Sequence, residues 1–210
     1  MSKIKYIFLS IILLFISSCD FNTNQNKEVS LIVNDFNMSQ LSSVGEKLYD
    51  ITSPKSKFNK KSQIYLLEKT KIVFYDKNQI TYIVYSNKAE LLNHETIKLS
   101  GNIQIFDASD DKNNINADNF YWDIKNSDFT LDGNVRLNNK NIDLISSKAI
   151  LNKYSNIVKF YNPVKYFYKN SKNNSNYNLR AENAYYDLSN KSLIFKSDSN
   201  KERVKSKIKF

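Results

Sequence analysis

One cysteine, one histidine and a short acidic cluster are the side chains of this 210-residue chain whose type and placing could carry group chemistry. Cys19 is the only thiol and His94 the only imidazole. His94 falls in a polar stretch that reads as a turn, so a Cys-His or Ser-His-Asp arrangement has no partner set to draw on. A His-based or multi-Cys zinc site is excluded on the same count. Asp107, Asp110 and Asp111 could hold a calcium ion, but their spacing is not that of a helix-loop-helix calcium loop, and they read as a solvated loop. Three glycines in the whole chain leave no glycine-rich phosphate cradle and no nucleophile elbow. Carboxylate pairs of the glycosidase kind can form across strands without a sequence signature. Nothing else points to catalysis, so the chain is expected to be no enzyme and to need no cofactor or metal.

Cys19 has another use. Lys3 and Lys5 precede an apolar run from Tyr6 to Ile16, which ends in Ile16-Ser17-Ser18-Cys19. A basic start, a short apolar middle and small residues at its end make a secretory signal. The run is too short for a bilayer, which takes about 20 apolar residues, and the chain turns polar at Asp20. Its last residues resemble the lipobox of bacterial lipoproteins, with Ile where Leu is more usual. That resemblance implies a diacylglyceryl group on Cys19. Stable anchoring takes two or more acyl chains, at about 0.8 kcal/mol per buried methylene. The expected organisation is therefore a signal peptide over residues 1–18, a lipidated N-terminus and tether over 19–35, and one domain over 36–210.

Composition narrows the domain's class. At 41% apolar and 13% aromatic the chain is too greasy for disorder, and with one Cys its core must be held by packing. Lys and Arg number 31 against 21 acids, and loss of residues 1–18 leaves +8. Such a balance suits nucleic acid, anionic lipid or neither. Export argues against nucleic acid, and an excess of Lys, Asn and Ile is what an AT-rich genome produces unaided.

The elements that would position a binding surface are visible as a repeat. Five stretches share an apolar, small, small-or-aromatic, large-apolar template: Ile51, Ser53, Ser56, Phe58; Val84, Ser86, Ala89, Leu91; Ile115, Ala117, Phe120, Trp122; Leu144, Ser146, Ala149, Leu151; and Leu179, Ala181, Ala184, Tyr186. Their third members lie 33, 31, 29 and 35 residues apart, an internal repeat. Period-two alternation changes phase across each small-x-x-small step, which predicts a strand with a β-bulge. Polar turns follow at 59–62, 93–95, 125–127, 153–156 and 189–191, predicting hairpins.

Returning strands alternate as Ile97, Leu99, Gly101, Ile103, Ile105; as Phe129, Leu131, Gly133, Val135, Leu137; and as Val158, Phe160, Asn162, Val164, Tyr166, Tyr168. Gly101, Gly133 and Asn162 hold one repeat position, which asks for positive φ or close backbone approach. The first copy fits poorly, because either register of Ile64–Phe74 puts a charge there. Residues 37–49 read as a short helix or a first strand. Loops are expected at 76–79, 107–114, 138–141 and over the Lys/Asn/Ser run 169–178. The fold class is all-β: antiparallel hairpins in a sandwich-like or rolled sheet.

The strand Ala117–Trp122 followed by Leu131-Asp132-Gly133-Asn134-Val135-Arg136-Leu137 resembles the LptC family of lipopolysaccharide export proteins, which have the OstA/LptA-like β-jellyroll. The likeness extends over about residues 35–195. Members of that family usually keep an N-terminal transmembrane helix, which a lipid on Cys19 would here replace. The resemblance implies a periplasmic protein anchored to the inner membrane. It would take lipopolysaccharide by its acyl chains from an inner-membrane ABC transporter complex and pass it to an LptA-like jellyroll by strand addition. Candidate trough-lining residues are one face of the returning strands: Ile97, Leu99, Ile103, Ile105, Phe129, Leu131, Val135, Leu137, Val158, Phe160 and Val164. Some of these could instead fill a closed core. The C-terminal tail, with Val204, Ile208 and Phe210 alternating with lysines, reads as a Lys-guarded edge strand, a phosphate-attracting strip or a frayed end. The competing readings are a lipid-tethered structural module of the envelope that transfers no lipid and a polysaccharide-acting enzyme on a β scaffold.

Overall fold

Alternating Ile, Val, Leu, Tyr and Phe between short polar breaks leave the chain few options besides strands, and strands are what form. The computed structural model describes residues 30–139, 142–152, 155, 157–170, 175–190, 192–197 and 205–209. They make β1 (Ser30–Leu41), β2 (Lys47–Asn59), β3 (Ile64–Asp76), β4 (Gln79–Leu92), β5 (Thr96–Asp107) and β6 (Asp110–Asp123). The second half makes β7 (Asp128–Asn139), β8 (Ile142–Asn152), β9 (Ile157–Asn170), β10 (Ser175–Asp187), β11 (Ser192–Lys196) and β12 (Lys205–Lys209). Each strand pairs antiparallel with the next, so one 12-stranded sheet runs in chain order from β1 to β12.

The sheet rolls over on itself. Four steps across a flat sheet, from β2 to β6, would span about 19 Å at the usual strand spacing, yet the Tyr49 and Trp122 rings stand 4.8 Å apart, edge to face. Phe74 of β3 meets Trp122 at the same distance. The inward faces of β2–β3 and β6–β7 therefore press together, and the core lies inside the curl. An all-antiparallel sheet closed over one core in this way is consistent with a β-jellyroll.

A line of irregularities crosses the sheet at one level. Pairing slips between Tyr85/Lys88, Ser100/Ile103, Asn116/Asn119, Asp132/Val135, Ile145/Lys148 and Ala181/Asn183. The even-numbered strands supply the predicted phase change. Ile51 and Ser53 point inward, then Ser56; Val84 and Ser86, then Ala89; Leu144 and Ser146, then Ala149. The serines serve the bend directly. The hydroxyls of Ser53, Ser86 and Ser146 each donate to the carbonyl two residues on, at 2.7, 3.1 and 3.0 Å, so a buried polar group and a displaced carbonyl satisfy each other.

Odd-numbered strands cross the same level with left-handed backbone. Gly101 and Asn102 have φ of 74° and 51°, and Gly133 and Asn134 have 74° and 47°. In β3 the place falls to Lys69, with φ 49°, and in β1 to Asp35, with φ 53°. The charge that spoiled the first copy's register is thus an exposed lysine occupying the left-handed position itself. Asn162 lies in β9 at the equivalent step, where Tyr161 and Val164 flank the slip against β10.

Several sequence boundaries need correction. β1 begins at Ser30, six residues before the expected domain start, because Leu31, Ile32 and Val33 pair with Phe58, Lys57 and Ser56. Residues 37–41 continue that strand, with no helix. The loop expected over 107–114 shrinks to a turn at Ala108 and Ser109, and its polar Asn114 pairs with Phe106 in the sheet. The Lys/Asn/Ser run 169–178 likewise forms strand on both sides, with Asn170 opposite Ser175. Polar residues on a strand's wet face look like loop in sequence. The C-terminal tail is an edge strand, β12, paired with β11 from Ser192–Lys209 to Lys196–Lys205.

Candidate functional site

The alternation of the returning strands aims their apolar residues into the curl, where they meet those of the even strands. Ile103, Val135, Phe160 and Val164 are wholly enclosed, and Ile97, Leu99, Leu131, Leu137 and Val158 are buried beside them. Ile105 and Phe129 are half-buried against the same cluster. All eleven expected lining residues thus share one apolar interior, and nine of them are packed core within it.

Sequence reading named only the returning strands, but the even strands contribute equally. Ile51, Leu91, Trp122, Leu144 and Ala184 are buried in the same cluster. The same period-two alternation that picked the first set would have found these.

Aromatic rings concentrate where the two walls touch. Trp122 stacks on Phe129 at 5.5 Å, Phe74 meets Phe129 at 5.6 Å and Phe120 meets Phe129 at 5.8 Å. Phe129 of β7 is therefore the hub where the rings of β3 and β6 meet. Within the interior, the indole N–H of Trp122, the hydroxyl of Tyr166 and the hydroxyl of Thr70 are buried without a hydrogen-bond partner among the described residues. Each such group costs free energy, of order 1–3 kcal/mol. Burial, with the neighbouring Tyr168, pushes the Tyr166 phenol up to about 12, and burial also raises Tyr49. The interior is thus strongly apolar and disfavours charge.

The roll is not covered equally at its ends. β1 pairs only with β2, so its outer edge is free of a ladder partner among the described residues. Its inward residues Phe36 and Met38 are only half-buried, while Leu31 and Ile32 are 54% and 63% exposed. Phe36 leans on Tyr65 of β3 at 5.2 Å. At the other end of β1, Ser39 and Tyr75 donate hydrogen bonds to Asp50 at 2.5 and 2.7 Å, and Lys47 adds one at 2.9 Å. Burial pushes the Asp50 carboxyl up, but these three donors outweigh it and hold the group below its ordinary range. Asp50 is a clasp across β1, β2 and β3.

Among the described side chains the remaining chemistry-bearing residues do not assemble. His94 sits in the β4–β5 turn with φ 58°, 5.9 Å from the Tyr65 ring. Asp107 accepts from the backbone N–H and hydroxyl of Ser109 at 2.8 and 2.6 Å, a turn contact. Among the described residues no group of three or more His, Cys, Asp or Glu is placed to hold a metal ion. Cys19 lies outside the described residues, as do Val204 and Phe210, and so does the side chain of Asn162. Gly133 carries a close approach: a Cβ there would stand 2.6 Å from Asp118 Oδ2 and 3.0 Å from its Cβ, and at Gly101 it would stand 3.3 Å from Asn87.

Comparison with known families returns one informative match. The family model described as lipopolysaccharide-assembly, LptC-related, matches residues 5–148. No curated protein matches the chain. The matched span covers more than half of the sequence and runs through β1 to most of β8.

Proposed function

The chain belongs to the LptC family of lipopolysaccharide assembly, and from that premise we propose that it is an inner-membrane-anchored periplasmic relay. It accepts lipopolysaccharide from an ABC transporter and passes it to an LptA-like jellyroll. The family works in lipopolysaccharide transport and is not known for catalysis. The observation that carries the relay is a continuous apolar interior along the roll, bounded at one side by β1, a strand whose inward Phe36 and Met38 are only half covered. Acyl chains that part β1 from the opposite wall reach Ile105 and Phe129 first, because these are the half-exposed members of the lining. Each square ångström of hydrocarbon taken from water is worth about 25 cal/mol. Sugars and phosphates stay in water outside, so no charged group has to enter the interior that raises Tyr166 and Tyr49.

The enclosed residues Ile103, Val135, Phe160 and Val164 then act as the floor on which the chains rest. Handover uses a sheet edge, and β12, which ends the sheet among the described residues, supplies one for strand addition. Acyl chains on Cys19 would keep the domain at the membrane from which the lipid is drawn.

Photo-reactive residues placed at Phe129 and at Phe160 in living cells test the relay. Crosslinks to lipopolysaccharide from Phe129, together with its accumulation in the inner membrane on depletion, are the expected result. Crosslinks to protein alone would favour the tethered structural module that moves no lipid.

A further inference from the structure

The two halves of the sheet differ in the charge of their outer faces. In β2–β5 the signs are interleaved: Lys55 lies 3.8 Å from Glu68, Lys88 stands opposite Glu68 in register, and Lys98 stands opposite Glu90. In β8–β11 the outward register positions hold Lys148, Lys159, Lys165, Arg180 and Lys196. The acids of those strands are few and mostly committed. Asp143 is bonded to Arg136 of β7, and Asp187 accepts from Ser189 and Asn190 in its hairpin. Glu182 sits at the bulge of β10.

Two tyrosines are set among these cations. Lys159 Nζ lies 4.7 Å from the Tyr161 ring centroid and 5.5 Å from that of Tyr185, and Lys196 Nζ approaches Tyr185 at 4.8 Å. The register continues Tyr161 to Lys148 on one side and Tyr185 to Ile194 on the other. A shallow hollow of the outer face lies elsewhere, over β4–β7, and is lined by both signs, including Glu90, Lys98 and Asp132.

We propose that the outer face of β8–β11 is a docking surface for an anionic phospholipid bilayer, with Lys148, Lys159 and Lys196 on headgroup phosphates and Tyr161 and Tyr185 at headgroup level. Charge complementarity selects the partner: the strip is cationic over four adjacent strands, and the acids on its β7 side are Asp132, opposite Lys148 in register, Asp128, and Asp143, which is bonded to Arg136. Tyrosine suits the same level, because its ring is apolar and its hydroxyl is wet. A lysine near an anionic surface contributes about 1 kcal/mol, or roughly fivefold in partitioning. Such docking lays the roll on its side against the membrane, whatever the interior holds.

The full chain is tested by co-sedimentation with vesicles of phosphatidylglycerol and phosphatidylcholine in equal parts, against vesicles of phosphatidylcholine alone. The apolar N-terminal segment contributes to both, so the readout is the ratio of anionic to neutral partitioning. Lys148→Ala, Lys159→Ala and Lys196→Ala combined are expected to lower that ratio by at least about tenfold. Lys55→Ala, Lys57→Ala and Lys88→Ala combined remove the same charge from the other half and should leave it within about twofold. Thermal midpoints of both triple variants control for folding. Equal loss in the two variants overturns the proposal, because net charge alone would then explain binding. Displacement of the wild type by inositol hexakisphosphate at matched phosphate concentration also overturns it, since the strip would then be a site for soluble polyphosphate.

Discussion

The middle of the roll and its β1 edge are made from the same kinds of residue but are covered very differently. Phe160 of β9 is fully enclosed, whereas Phe36 of β1 is half-buried. β9 has a neighbour on each side and an opposing wall, while β1 has one neighbour and a clasp at Asp50. Stability should therefore reside in the middle and yielding in the edge, which is the division a lipid-accepting roll needs.

That division can be broken by truncation. Phe160→Ala should cost about 3–5 kcal/mol in denaturant unfolding, as other enclosed aromatics do. Phe36→Ala should cost only about 1 kcal/mol, from the burial that half-covered apolar area supplies. Equal costs would mean that the edge is as firmly built as the middle.

The bulge line gives a second contrast. Gly133→Ala puts a Cβ 2.6 Å from Asp118 Oδ2 at φ 74° and should destabilise by about 3 kcal/mol. Lys69, at φ 49° in β3, holds the same position as an ordinary residue on the exposed side. Lys69→Gly should stabilise by about 0.5–1 kcal/mol, by relieving left-handed strain. Thermal melts of the two variants should move in opposite directions.

Both contrasts bear on how far the sequence could be read. The small-x-x-small step announced the bulges of the even strands because it shifts the apolar phase, and alternation with Gly101 and Gly133 announced those of β5 and β7. Lys69 carried no such signal, since lysine is a poor marker of left-handed backbone. The strands at 110–114 and 175–178 were hidden because, Tyr177 apart, their residues are polar and leave no apolar alternation to show a strand. Pairing order was readable from hairpin turns, and a rolled or sandwich-like sheet was expected, but which walls of the roll meet was not. The curl accumulates from small twists between many strands, and the contacts of Tyr49 and Phe74 with Trp122 make it visible. For the same reason the sequence named a lining without showing which of its members are sealed.

The clasp sharpens the comparison at lower cost. Asp50 is held below its ordinary range in the folded chain, so its contribution is complete above the unfolded carboxyl's pKa of about 3.9 and is lost as pH falls through the lowered folded value. Asp50→Asn should loosen β1 by about 1 kcal/mol at neutral pH. It should also flatten the acid limb, so that the protection of β1 amides falls less steeply below about pH 4 in the variant than in the wild type. Exchange in β9 should not change.

Trp122 is the only tryptophan of the chain and lies inside the roll at 4% exposure, so its fluorescence reports on what enters. Lipopolysaccharide bearing brominated acyl chains should quench it, saturably, while aqueous iodide leaves it bright. Brominated chains that bind the protein yet leave Trp122 unquenched would place the lipid outside the roll and contradict the account.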